Sequence, residues 1–211
     1  MGKAAIYLNL SIDSLARLLE TWLGLLGISE VDCECEFGTL GVCIVQILGV
    51  SEMTIKVGDK VPALSFSVMT GEGPKPMSSE EVFSGKKVVF FAVPGAFTPG
   101  CSLTHLPGFV VDADAIKAKG VDTIACMSVN DAFVMGAWGS AQNANEIVML
   151  ADGNADFTKA LGLELDASGF GMGLRAQRFG MIVEDAIVTY LGVEAPGEIK
   201  VSSSEAMLAQ L

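Results

Sequence analysis

The chain has 211 residues, of which 51% are hydrophobic and 18% are charged, and its formal net charge is −12. This length suits one globular domain with an extra segment, and the absence of clustered basic residues argues against a nucleic-acid partner. No apolar run is long enough to cross a bilayer, so we expect no membrane partner. Five cysteines without a CxxC spacing disfavour a disulfide scaffold and the common structural zinc sites.

The first 52 residues differ in composition from the rest of the chain. Residues 1–52 hold seven acidic residues against two basic ones, which fits neither a secretory signal nor a transit peptide. We predict that residues 1–52 are an extension of unknown role, with a docking helix and a non-native upstream segment as the two interpretations. Residues 53–211 are the predicted domain. We predict a cytoplasmic location, and the atypical extension leaves an organelle open.

From Lys86 onward, β-rich apolar runs alternate with segments of helical spacing. Three runs predict buried central strands: KKVVFFAV, VDTIACMSV and EIVML. Three segments predict helices after these strands: CSLTHLPGFVVDADAIKAKG, DAFVMGAWGSAQNA and NADFTKALG. The run RFGMIVEDAIVTYLGV predicts a hairpin that turns at Glu184–Asp185. These elements predict an α/β fold with a central mixed β-sheet flanked by helices.

The ends of the predicted helices follow from their capping residues. We expect the first helix to be interrupted at Pro107–Gly108 and to end at Gly120. The second helix begins after a capping side chain, which is either Asn130 or Asp131. The third helix ends at Gly162.

The segment FFAVPGAFTPGC places a cysteine at the start of the first helix. Pro99 fits the first helical turn, which puts Thr98 at the N-cap and Cys101 one turn in. Free backbone N–H groups and the helix dipole favour a thiolate at that position. The alternative is a capping hydroxyl and a small buried apolar side chain, because cysteine is often buried without a function.

Two arginines, Arg175 and Arg178, are the only ones after residue 52. Arg178 stands at the start of a predicted strand, where a permanently charged fork of donors would be fixed in position. An ordinary surface ion pair is the alternative for both residues, and it suits Arg175 better than Arg178.

Three segments, PGAFTPGCSLTHLPGF, ACMSVNDAFVMGAW and RAQRFGMIV, resemble the peroxiredoxins of the type II, or peroxiredoxin-5-like, subfamily. The resemblance runs from Thr54 to Leu211. It implies a thioredoxin-like fold and a thiol-dependent peroxidase that reduces hydrogen peroxide and alkyl hydroperoxides without a metal or organic cofactor. The alternative function is a non-catalytic redox sensor or interaction module on the same scaffold.

The resemblance also implies roles for individual residues. Cys101 would be the peroxidatic cysteine, and its thiolate would become a sulfenic acid. Thr98 would offer its hydroxyl to the sulfur and the peroxide, and Pro94 would shield the pocket from water. Arg178 would stabilise the thiolate and the leaving oxygen, and the backbone N–H groups of Gly100 and Cys101 would hold the peroxide oxygens.

Two further residues have open roles. His105 stands four residues after Cys101, on the same face of a continuing helix, and a general base is one interpretation. Because the family uses no such base, we expect His105 to be a supporting or structural residue, as we do for Arg175. Cys126 lies 25 residues after Cys101, the spacing of the resolving cysteine in plant-like members. A buried strand cysteine without a role is the alternative.

The resemblance implies a thiol reductant and a self-association state. The reductant is either glutathione with glutaredoxin or thioredoxin, and the sequence does not distinguish them. Subfamily members form homodimers, so we expect a homodimer here.

Overall fold

A computed structural model describes residues 54–211, and the predictions for residues 1–52 lie outside the described residues. The described part contains a seven-stranded mixed sheet and a separate two-stranded sheet. The strands are β1 (Ser65–Thr70), β2 (Gly73–Ser78), β3 (Lys87–Ala92), β4 (Thr123–Ser128), β5 (Ile147–Ala151), β6 (Glu164–Asp166), β7 (Leu174–Ala176), β8 (Phe179–Glu184) and β9 (Ile187–Val193). The order in the large sheet is β2-β1-β5-β4-β3-β8-β9, and β6 pairs with β7.

Helices cover both faces of the large sheet. The α-helices are α1 (Ser79–Phe83), α2 (Leu106–Ala118), α3 (Ala132–Ala141), α4 (Asp156–Leu161) and α5 (Ser204–Gln210). Side chains of α1 and α4 share one core cluster with Phe90 of β3. Side chains of α2, α3 and α5 share the other cluster with Phe91, the next residue of β3. Successive residues of a strand point to opposite faces, so β3 contributes to both cores. None of the helices in residues 54–211 is long and apolar enough to span a bilayer.

The centre of the sheet consists of parallel strands, with β4 between β3 and β5. The antiparallel strand β8 pairs with the other side of β3. Continuous apolar runs form these strands because both faces are covered by helices. The predicted central mixed sheet flanked by helices is therefore confirmed.

The hairpin of β8 and β9 turns one residue later than predicted. Its two loop residues are Asp185 and Ala186, and Glu184 is the last residue of β8. Both loop residues have positive φ, 47° and 65°, as a two-residue turn of this handedness requires. Of the two predicted caps of the second helix, Asp131 is the N-cap of α3, and its side chain accepts a hydrogen bond from the backbone N–H of Val134.

The first predicted helix is not interrupted at Pro107–Gly108. Instead, a π-helical turn, Cys101–His105, leads directly into α2, and the N–H of Leu106 donates to the carbonyl of Cys101. A widened turn before a proline accommodates the missing N–H and the ring that would clash with the preceding turn. The helix ends as predicted, with Gly120 at positive φ after the last turn.

Candidate active site

The loop after β3 leads to the start of the π-helical turn. Val93 extends the ladder by donating its N–H to Met127 O at 3.0 Å, and Pro94, partly exposed, follows it. Proline has no N–H to donate, so the chain leaves the sheet at Pro94. The residues predicted for the site therefore begin at the carboxyl end of a central strand, the usual position of α/β sites.

Two backbone N–H groups at Cys101 have no hydrogen-bond acceptor within the helix. The first helical hydrogen bond runs from the N–H of Ser102 to the carbonyl of Thr98 at 2.9 Å, so Thr98 occupies the N-cap. The N–H groups of Gly100 and Cys101 precede that bond and have no acceptor within the helix. The Thr98 hydroxyl donates back to the carbonyl of Gly95 at 3.0 Å. Its lone pairs are left for a hydrogen bond from another group.

Arg178 brings a positive charge to the Cys101 sulfur from 77 residues away in sequence. Its Nη2 lies 3.4 Å from Sγ of Cys101, and its Nη1 lies 2.9 Å from Nδ1 of His105. A Cβ at Gly100 would lie 3.4 Å from Nη2, so the guanidinium lies directly beside the start of the helix. The Cys101 side chain is itself fully buried.

His105 is buried beside the rings of Phe91 and Phe109, at centroid distances of 5.1 and 5.7 Å. Its Nε2 donates to the carbonyl of Ser202 at 2.8 Å, which leaves Nδ1 as the acceptor for Arg178. Burial, aided by the charge of Arg178 and opposed by the Ser202 hydrogen bond, lowers the pKa of His105 to about 4. The imidazole is neutral at pH 7, and the Nδ1 lone pair that a general base would use is occupied by Arg178.

Asn130 joins the loop to the neighbouring strand end, a role that sequence reasoning missed. Its Oδ1 accepts from the N–H of Ala96 at 3.0 Å, from Oγ of Ser128 at 2.8 Å and from Nη1 of Arg175 at 3.4 Å. Arg175 also donates to the carbonyl of Val129 at 3.1 Å. It therefore supports the loop through Asn130, and its hydrogen bonds do not include Cys101. A polar residue directly after a central strand was the available signal for Asn130.

Ser102 is a second residue that sequence reasoning missed. Its Oγ accepts a hydrogen bond from Nε1 of Trp138, a buried residue of α3, at 2.9 Å. This bond ties the π-helical turn to α3 one residue beyond Cys101. A serine next to a cysteine carries no pattern that predicts such a contact.

Cys126 lies inside β4, opposite Phe91 of β3 and Met149 of β5. It belongs to the same buried cluster as Cys101, and both thiols are free. Burial, with a smaller contribution from Cys101, raises the pKa of Cys126 well above that of an ordinary thiol. The structure thus brings the two predicted cysteines to the same side of the sheet and keeps Cys126 protonated.

The site combines a helix-start thiol, a guanidinium and free N–H donors. Such donors stabilise negative charge on sulfur and on an oxygen beside it. Within residues 54–211 there is no group of three or more side chains arranged to hold a metal ion. The chemistry that this arrangement supports is nucleophilic attack by sulfur.

Comparison with known proteins decides the family. The profile of the Redoxin family matches residues 56–208. The chain belongs to this family. It is 45% identical over 159 residues to peroxiredoxin-2C of Arabidopsis thaliana, which covers 74% of this chain and 98% of that protein. It is 46% identical over 164 residues to the chloroplastic peroxiredoxin-2E-2 of Oryza sativa subsp. japonica, which covers 75% of this chain and 73% of that protein.

A solved structure supports the same conclusion for the fold. The reduced Prx3 of Vibrio vulnificus in complex with hydrogen peroxide is 59% identical, with a TM-score of 0.72, and the match covers 74% of this chain and 99% of that one. The predicted peroxiredoxin family and thioredoxin-like fold are therefore confirmed. This redoxin-family chain is a thiol-dependent peroxidase, an oxidoreductase that acts on peroxides with a thiol reductant.

Proposed function

We propose that Cys101 is the residue that attacks the peroxide. The observation that carries this assignment is the 3.4 Å contact between Nη2 of Arg178 and Sγ of Cys101, because a buried thiolate needs a fixed positive partner. The thiolate bonds to one peroxide oxygen as the O–O bond breaks, and the other oxygen leaves as hydroxide or alkoxide, which takes a proton from solvent to become water or an alcohol. Sulfur is oxidised by two electrons to a sulfenic acid, and the peroxide is reduced.

The neighbouring groups then have distinct tasks. The free N–H groups of Gly100 and Cys101 bind the peroxide oxygens, and Arg178 stabilises the charge that develops on the leaving oxygen. Thr98 uses its remaining lone pairs to accept a hydrogen bond from the hydroperoxide O–H, since its own hydroxyl donates to the carbonyl of Gly95. Pro94, at the point where the chain leaves the sheet, limits the access of water.

We further propose that an external thiol resolves the sulfenic acid and that Cys126 has a structural role. Cys126 is fully buried in a central strand, and its raised pKa leaves little thiolate to attack. One thiol displaces water from the sulfenic acid, and a second thiol reduces the mixed disulfide, which restores Cys101. Glutathione with glutaredoxin suits this route, because a small thiol can reach a recessed sulfur. Thioredoxin is the alternative reductant.

The test is a single oxidation of the reduced protein by one equivalent of hydrogen peroxide, followed by trapping and peptide mass analysis. We expect dimedone or glutathione to attach at Cys101 while Cys126 remains free, and we expect no adduct there in Cys101→Ser. A Cys101–Cys126 disulfide would refute the external-thiol route and retain the peroxidatic role of Cys101. A reduced Cys101 beside oxidised thiols elsewhere in the chain would refute that role.

Self-association and cellular location are also proposals. A homodimer that uses the active-site segment is supported by Phe97 and Leu103, which are 56% and 78% exposed on either side of Cys101.

For location, the predicted cytoplasm has no support in the names of the relatives compared above, one of which is called chloroplastic. We therefore favour the organellar alternative, which imaging of the full chain with a carboxyl-terminal fluorescent tag would test.

A further inference from the structure

Both ends of the segment after β9 contact residues of the site. It runs from Glu194 to Ser202 and connects β9 to α5. At its start, the N–H of Glu194 donates to the carbonyl of Arg178 at 2.9 Å. At its end, Ser202 is fully buried and contacts His105. The segment therefore contacts both Arg178, which donates to Cys101, and His105, which accepts from Arg178.

One carboxylate oxygen of Glu194 accepts three hydrogen bonds from residues near the end of the segment. Its Oε1 accepts from the N–H of Lys200 at 2.5 Å, from the N–H of Ser202 at 2.8 Å and from Oγ of Ser202 at 2.8 Å. Burial acts to raise the pKa of Glu194, but the hydrogen bonds from Ser202 and Lys200 outweigh it and lower that pKa. The group is a carboxylate at neutral pH, and it accepts a hydrogen bond from the hydroxyl of Ser202.

Ser202 consequently presents only acceptors to His105. Its carbonyl oxygen lies 2.8 Å and its Oγ lies 3.2 Å from Nε2 of the imidazole. The carbonyl can only accept, so Nε2 must carry the imidazole proton for that bond, and Oγ also accepts from Nε2 because its own proton points to Glu194. Nδ1 is then a lone pair, and it faces the N–H of Arg178 at 2.9 Å. Each of these hydrogen bonds therefore joins one donor to one acceptor.

We propose that Glu194 and Ser202 are positioning residues that hold His105 in its Nε2–H tautomer and thereby fix Arg178 against the sulfur of Cys101. This inference rests on the roles proposed above for Cys101 and Arg178. In the opposite tautomer, an Nδ1–H would face a guanidinium that can only donate, so this hydrogen bond would be lost. Without the hydrogen bond to His105, the guanidinium of Arg178 would be held less firmly beside Cys101.

The experiment uses the fact that His105 is the only histidine of the chain. Untagged full-length protein labelled with ¹⁵N-histidine gives one imidazole, and its nitrogen shifts report which nitrogen carries the proton. We expect the Nε2–H tautomer in the wild-type protein at neutral pH. In Glu194→Ala the Ser202 hydroxyl is free to donate to Nε2, so we expect a mixture of tautomers and about a tenfold slower oxidation of Cys101 by hydrogen peroxide in stopped-flow measurements.

Two further variants isolate the cause. Glu194→Gln keeps an Oε1 acceptor, so it should restore the Nε2–H tautomer and most of the oxidation rate. Glu198→Ala is the matched control, because Glu198 lies in the same segment and pairs with Lys200 Nζ at 2.6 Å. We expect Glu198→Ala to match the wild-type protein in tautomer and rate.

An Nδ1–H tautomer in the wild-type protein would overturn the proposal without any variant, even if Glu194→Ala failed to fold. A folded Glu194→Ala protein with the wild-type tautomer and oxidation rate would overturn it as well. The tautomer is read without peroxide. Failure of the peroxidatic role of Cys101 would therefore appear only in the oxidation assay, which separates the two proposals.

Discussion

At the scale of single residues, the fork of Arg178 makes two different hydrogen bonds at once. One N–H group points to the sulfur of Cys101 and another to Nδ1 of His105. Lysine keeps the charge but lacks the planar fork, so it cannot hold both partners in the same geometry. We predict that Arg178→Lys lowers kcat/KM for hydrogen peroxide by about 10- to 100-fold.

Steady-state peroxidase assays with the circular dichroism spectrum of each protein measure this effect. Arg178→Met, which also removes the charge, should be slower still. A folded Arg178→Lys enzyme with the wild-type kcat/KM would show that charge alone is sufficient.

His105 links the stability of the fold to pH. Its pKa is about 4 in the folded state and about 6.5 in the unfolded state, so between these values only the unfolded state binds the extra proton. This contribution to stability is present above pH 6.5, and it is lost as the pH falls from 6.5 towards 4. We predict that the wild-type free energy of unfolding falls by about 2 kcal/mol more than that of His105→Asn between pH 7 and pH 4.5.

Urea unfolding at the two pH values measures the difference. The Asn variant has the same carboxylates as the wild-type protein. Subtracting the two losses of unfolding free energy therefore isolates the contribution of the imidazole. Equal losses in the two proteins would mean that His105 is protonated as readily in the folded state as in the unfolded state.

At the scale of elements, β9 and the segment that carries Ser202 are packed without room for a side chain at Gly192. A Cβ at Gly192 would lie 2.5 Å from the carbonyl oxygen of Val201 and 2.7 Å from the hydroxyl of Tyr190. Tyr190 donates to that same carbonyl at 2.9 Å, so the carbonyl cannot move without breaking the bond. We predict that Gly192→Ala destabilises the protein by about 1–3 kcal/mol.

Thermal or urea unfolding tests the Gly192 prediction against a matched glycine. Gly71 has open space around the position of its Cβ and an ordinary φ, so Gly71→Ala should leave the stability close to wild type. Because Ser202 follows Val201, Gly192→Ala should also slow the oxidation of Cys101. A stable and fully active Gly192→Ala would mean that the segment can shift freely.

At the scale of the whole molecule, exposed apolar side chains beside the site predict an interface. Leu103 lies on the π-helical turn and is 78% exposed. We predict that Leu103→Glu shifts the proposed homodimer to monomer, because a buried unpaired carboxylate opposes association. Light scattering after gel filtration over a range of concentrations measures the mass.

Val111 provides the control for Leu103. It is 81% exposed on α2, and Val111→Glu should leave the mass of the dimer unchanged if the interface lies at the active-site segment. A wild-type protein that is monomeric at every concentration would refute the predicted homodimer. Loss of the dimer in Val111→Glu alone would place the interface elsewhere.

The sequence was most informative where a local pattern is enough. The apolar runs of β3 and β4 predicted central strands, because a strand buried on both faces needs no polar side chains. The hairpin of β1 and β2 was missed because β2 reads GPKPMS, and its two prolines and lysine give no strand pattern. The three-residue strands β6 and β7 are too short to show any period.

The sequence by itself determined the position of Cys101 at a helix start, since Thr98, Pro99 and Cys101 are neighbours and capping is a local property. Only the tertiary structure decided what meets the sulfur. Arg178 reaches Cys101 across 77 residues, and His105 reaches Ser202 across 97. Such pairs form because the sheet brings distant segments to one edge, and the hydrogen-bond direction along Glu194, Ser202 and His105 depends on burial that no local pattern contains.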